Sequence, residues 1–161
     1  MNQKIAYFVL FIFCLLFGSS VSIVEAQAIK LTDPYIKSTE QWSVQIDDPI
    51  FNEQGMAKPK PGIANTYSLL IKNTGETLHN VIIEGYRNDQ GSPTKLGLFS
   101  TPIGSVYSGK EAFSHKNLPV TVKSNYLEIV ISWQDNPVIS KGQTIHGRKY
   151  KQTFAFRVNS N

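Results

Sequence analysis

From Trp42 to Val158 apolar side chains fall at every second position, in short runs broken by turn residues, and a pleated strand is what gives such spacing a buried face. The clearest run is Tyr126–Trp133, where Leu127, Ile129, Ile131 and Trp133 share one side. Trp42, Val44 and Ile46 do the same before Asp48-Pro49 ends their ladder, since proline has no N–H to give it. Within Thr66–Lys72 the inward set is Tyr67, Leu69 and Ile71, and Asn73-Thr74-Gly75-Glu76 supplies the turn. Asn80–Arg87 sets Val81 and Ile83 against Ile82, Glu84 and Tyr86. A polar break, Asn88–Pro93, precedes a short strand at Leu96–Phe99, and weaker strands fall at Glu111–Lys116 and Val120–Lys123. Lys151–Val158 closes the chain with Phe154, Phe156 and Val158 inward. No segment keeps a helical period over about ten residues. The pattern predicts an all-β antiparallel sandwich of seven to eight strands with almost no helix.

The start of the chain reads differently. Lys4, the apolar run Ile5–Phe17, Gly18-Ser19-Ser20 and the small residues Val24 and Ala26 form the pattern of a secretory signal peptide, 1–26, cut before Gln27. A secreted or extracellular protein, with cell-wall association as one form of it, is therefore expected. Retention of residues 5–24 as a membrane anchor is the alternative, because the extended run reaches the length a bilayer requires. A lipid on Cys14 is a weaker one, since Phe13 stands where a small residue belongs. Cleavage removes Cys14, the one cysteine, so an apolar core must hold the domain without disulfides. It also removes Lys4 and Glu25, leaving the net charge at +4. Residues 27–41 read as a tether or loosely packed first segment, and 42–161 as the sandwich. Lys151 and Arg157, with the prolines flanking the first strand, would discourage edge-to-edge pairing.

The stretch Tyr67-Ser-Leu-Leu-Ile-Lys-Asn73-Thr-Gly75-Glu-Thr-Leu-His-Asn-Val81-Ile-Ile resembles the opening of many bacterial immunoglobulin-like modules, such as the cell-adhesion-related domain found in bacteria. Ser108-Gly109-Lys110-Glu111 is similar to the Pro-Gly-Glu turn of those modules, with serine in place of proline. The likeness spans roughly Thr66–Trp133. It implies an immunoglobulin-like sandwich from a surface or secreted protein, and no shared functional residues.

Little in the chain points to catalysis. His79, His115 and His146 form no local chelating pair, and no cysteine assists them. No serine lies in a Gly-x-Ser-x-Gly elbow, and there is no phosphate-binding glycine loop. Asp47-Asp48, Asp89 and Asp135-Asn136 fall at strand ends, where they cap turns or, less simply, hold calcium; the spacing of an EF-hand is missing. Glu84 and Glu128 would meet only if their strands were neighbours, and a solvated face is expected for both. No cofactor and no metal site is expected. Trp42, Trp133, Phe113, Phe154 and Phe156 are read as core, and Tyr86, Tyr107 and Tyr150 as surface.

Binding is the better reading. Two long loops, Asn52–Asn65 and Gln134–Gly147, would carry it, as loops on a rigid sandwich commonly do. Lys58 and Lys60 lie in the first; Lys141, Arg148, Lys149 and Tyr150 lie in or just after the second. Such a basic set suits a protein or an anionic envelope polymer, Arg148 being able to grip bidentately. Export argues against nucleic acid. A different expectation makes Lys58-Pro59-Lys60-Pro61 a stiff bait loop of an inhibitor or regulator of an extracellular hydrolase.

Overall fold

The computed structural model describes residues 35–56, 58–145 and 147–158. The predicted leader, residues 27–34 and His146 lie outside them. Ten strands form among the described residues: β1 Ile36–Ser38, β2 Trp42–Asp47, β3 Ala64–Asn73, β4 Leu78–Asp89, β5 Lys95–Val106, β6 Glu111–Thr121, β7 Ser124–Gln134, β8 Val138–Ser140, β9 Gln143–Ile145 and β10 Lys149–Arg157. Eight of them build two antiparallel sheets, ordered β1-β2-β3-β6 and β10-β7-β4-β5. The remaining two, β8 and β9, pair with each other and, among the described residues, with no other strand. The fold is an all-β sandwich.

Alternation places the core between the layers. Trp42, Val44, Ile46, Ile71, Val81, Ile83, Leu127, Ile129 and Ile131 are wholly inaccessible to solvent. Tyr67, Leu69, Phe154, Phe156 and Val158 are buried beside them. Burying each aliphatic side chain contributes roughly 1.5–3 kcal/mol, so this interdigitated layer carries the stability that no disulfide supplies.

The edge strands are longer than their apolar pattern suggests. Beyond the expected Leu96–Phe99, β5 continues to Val106 through Pro102 and a positive-φ Gly104, with register shifts against β4. Likewise β6 fuses the two weak candidates into one bulged strand across Pro119. An edge strand has one partner only, so proline and bulges are tolerated there. Residues 36–38, within the segment read as a tether, pair with Ser43–Gln45 of β2.

Both open sides of the sandwich are closed by side chains. Between β5 and β6 the Phe99 and Phe113 rings stack at 5.1 Å. Phe99 lies across Gly85, where a Cβ would come within 2.3 Å of the ring. Between β1 and β10 the Lys37 ammonium donates to the Ala155 carbonyl at 2.5 Å and sits 5.2 Å from the Phe156 ring centre.

One corner is knit by a buried amide. Asn73, with no exposed surface, donates through Nδ2 to the carbonyls of Glu76 at 2.7 Å and Val106 at 3.0 Å. Its Oδ1 accepts from Gln41 Nε2 at 2.5 Å and from the Gly75 N–H at 3.1 Å. Its backbone bonds Lys110 and Gly109. The Asn-Thr-Gly turn is therefore also the clamp that ties β2, β3 and the β5–β6 connection together. By contrast, the Trp42 indole N–H and the Thr66 hydroxyl are buried with no hydrogen-bond partner among the described residues.

Candidate functional site

Strand directions decide which basic residues can act together. β6 turns directly into β7, and Ala64 at the start of β3 pairs with Thr121 at the end of β6. Lys60, bonded to Ala64 through both backbone groups, therefore sits at the Ser124 end of β7. Lys149 pairs with Gln134 at the other end, and the Asp135 N–H donates to the Arg148 carbonyl. β7 has 11 residues, a length of about 35 Å at strand rise. Lys58 and Lys60 thus lie at one end of the sandwich, while Arg148, Lys149 and Tyr150 lie at the opposite one. The structure does not bring these two groups into one patch.

The Lys58–Pro61 segment is not extended throughout. Lys60-Pro61-Gly62-Ile63 is a tight turn closed by an Ile63 N–H to Lys60 carbonyl bond of 2.9 Å, with Gly62 at φ 69°. Proline at the second position and a positive-φ glycine at the third are what a type II turn requires.

The Gln134 end is more elaborate. The segment Gln134–Gly147, expected as a loop, contains the β8–β9 hairpin. Its turn is the pair Lys141 and Gly142, at φ 50° and 74°, the two successive positive values of a type I′ turn. The hairpin base is clamped: Gln134 Nε2 donates to the Gly147 carbonyl at 2.8 Å. Gly147 passes so close to Asp135 that a Cβ would lie 2.0 Å from its carbonyl oxygen. Beyond that base every residue of β8 and β9 is exposed, including Val138, Ile139 and Ile145. Ile139 keeps 80% of its surface in solvent. The three-residue strands are too short to display a period, so the apolar pattern does not distinguish them from a loop. Pro137-Val138-Ile139 and Thr144-Ile145 flanking Lys141-Gly142 were the available signal.

An aromatic stack leads from this base into the core. Trp42 meets Trp133 at 6.0 Å, and Trp133 stacks on Tyr150 at 5.5 Å. Tyr150, the cross-strand partner of Trp133, is exposed at the edge of this stack, in keeping with its reading as a surface residue. Its hydroxyl donates to Asp135 Oδ2 at 2.9 Å. That bond, and secondarily burial, raises its pKa above the usual tyrosine value, while Arg148 pulls the other way. Trp133 is only half-buried, at the mouth of the sandwich, and Phe113 likewise lines a seam instead of the centre. Lys141 stands at the hairpin tip, and Arg148, Lys149 and Lys151 are exposed near its base, with Asp135 the nearby carboxylate.

The remaining candidates are dispersed. His79 Nδ1 contacts Ser105 Oγ at 2.9 Å, and His115 sits on β6 in the other sheet. Burial holds His115 below the usual histidine pKa, and the Asn117 N–H donates to its Nδ1 at 3.2 Å. β4 and β7 are neighbours, so Glu84 and Glu128 do share the outer face. Glu84 accepts from Tyr86, whose pKa this bond raises, and Glu128 pairs with Lys95 at 2.6 Å. Asp89 lies 3.7 Å from Arg87. Among the described residues no three histidine, cysteine or carboxylate side chains converge as a metal would need.

A family model described as "YozF-like secreted protein" matches residues 25–161. The protein YozF of Bacillus subtilis is 34% identical over 138 residues, covering 76% of this chain and 78% of that relative. No solved structure matches.

Proposed function

Since the chain belongs to the YozF-like secreted proteins, we propose that it works outside the cell as a non-catalytic, immunoglobulin-like binding module. Strand order supports the immunoglobulin-like part. β2, β3 and β6 take the places of strands A, B and E, while β10, β7, β4 and β5 follow the order G, F, C and C′. The β8–β9 hairpin then lies in the F–G connection, at the end of the sandwich that immunoglobulin variable domains use for recognition.

The observation that carries the binding reading is the exposed apolar hairpin, rigid at its base and flanked by Lys141, Arg148, Lys149 and Lys151. Exposed apolar surface of this kind on a secreted protein marks an interaction site. The partner is a protein or an anionic envelope polymer. An inhibitory bait loop would have to lie extended in an enzyme cleft, and the curled Lys60–Ile63 turn favours the Gln134 end as the recognition surface instead. Pull-downs from cell-wall and secreted fractions test the reading. Removing Val138–Ile145 should abolish retention, whereas shortening the Asn52–Asn65 loop should not. Retention unaffected by both changes would refute it.

A further inference from the structure

The edges of the sandwich are guarded, and those of the hairpin are not. β5 carries Pro102 and β6 carries Pro119, neither able to donate to an added strand. The outer edge of β10 is occupied by Lys37, whose ammonium takes the Ala155 carbonyl, and by Thr39, whose hydroxyl reaches Gln152 at 3.1 Å. β1 is three residues long. Short strands, prolines and an edge lysine are the devices by which sheets avoid recruiting a foreign strand. β8 and β9 share only the shortness. Val-Ile-Ser and Gln-Thr-Ile contain no proline and no charge, and four of their six residues are β-branched. In an antiparallel pair alternate residues of each strand turn their N–H and C=O outward. On this hairpin those groups meet no further strand among the described residues.

A two-stranded hairpin is marginal by itself in water, and a third strand relieves that. From this, and resting on the binding-module reading above, we infer that the β8–β9 hairpin captures an extended, acidic segment of another protein as an added β-strand. Backbone pairing along one outer edge supplies the contact common to all such partners. Alternate apolar side chains of the incoming strand cover Val138 and Ile145 on one face and Ile139 on the other, since Val138 and Ile145 are a cross-strand pair and Ile139 points opposite. Carboxylates flanking that apolar pattern meet Lys141 at the tip and Arg148 and Lys149 at the base.

Other occupants fit less of the surface. An anionic polymer would satisfy the cations and leave three apolar side chains in water. A membrane would have to accept Lys141 first, because the charged turn leads the hairpin. A second copy would bring like charges together.

The test uses the mature chain and a library of phage-displayed linear peptides. Enrichment of sequences with alternating apolar residues flanked by Asp or Glu is expected. Bound to the chain, the enriched peptide should slow amide exchange along Val138–Ile145. Ile139→Pro should weaken it about tenfold or more, by removing a ladder donor and obstructing the edge. Lys141→Glu, which leaves the strands intact, should weaken it several-fold, and the difference should shrink in salt. Enriched peptides without this pattern, or with affinity indifferent to Ile139→Pro, would overturn the inference. So would Ile139-dependent flotation with phosphatidylglycerol vesicles, or an Ile139-dependent dimer in sedimentation. Should Ile139→Pro keep envelope-fraction binding that deletion of Val138–Ile145 abolishes, strand capture fails while the binding-module reading stands.

Discussion

Two connections at one end of the sandwich use opposite strategies. At the Asn73 corner a side chain with no exposed surface makes four hydrogen bonds and joins three segments of the chain. At the β8–β9 hairpin, beyond the clamp at Gln134 and Gly147, three apolar side chains stand in water. Both are turns between neighbouring parts of a sandwich, yet one is spent on holding the fold and the other is free of it. Stability and recognition are therefore separable here, and substitutions should separate them.

The largest effect is expected at the corner. Asn73→Ala strips partners from the buried Val106 carbonyl and from Gln41, and should cost about 3 kcal/mol. Urea denaturation would measure it; a loss below about 1 kcal/mol would mean that the corner is not a clamp. Gly147→Ala comes next, since its Cβ must displace the Asp135 backbone. Roughly 1–3 kcal/mol is expected, with the disturbance confined to the hairpin base and the Trp133–Tyr150 stack, visible in near-ultraviolet circular dichroism. Thr66→Val, on the same strand as Asn73, should act in the other direction. Its hydroxyl is buried without a partner among the described residues, so a methyl in its place should be neutral or stabilising by up to about 1 kcal/mol.

His115 adds a pH dependence. Its folded pKa is depressed below the ordinary value, chiefly by burial, and a proton on Nδ1 would also break the bond from the Asn117 N–H. The unfolded chain thus binds the proton more readily. Stability from this group is complete above the ordinary histidine pKa of about 6.5 and falls as pH drops through it toward the folded value. His115→Gln should flatten that part of a melting-temperature profile. At the small end, Ile139→Ser should change stability by less than about 0.5 kcal/mol, while weakening partner binding.

Much of this was legible in the sequence for a physical reason. Long inward runs such as Leu127–Trp133 and Tyr67–Ile71 have a period because a shared core demands one. Where that demand lapses the pattern lapses too. β5 beyond Phe99 and β6 around Pro119 need only one neighbour and carry bulges, so their residues do not alternate cleanly. The hairpin has no core face at all, so its strands carry no period that would set them apart from a loop. Of the candidate site, Arg148, Lys149, Tyr150 and Lys141 do gather at one end, because β10 starts where β7 stops. Lys58 and Lys60 lie at the opposite end, a consequence of strand direction, which composition does not encode. Asn73 was visible only as a turn residue; its burial depends on Gln41 and Val106, distant in sequence.

The separation of clamp from hairpin is tested most directly by native-state hydrogen exchange read residue by residue. Amides of β3 and β7 should open only with global unfolding, and those of Val138–Ile145 should exchange through local opening that costs almost nothing. Hairpin amides as protected as those of Ile71 and Ile129 would contradict the account, because the hairpin would then be part of what holds the molecule together.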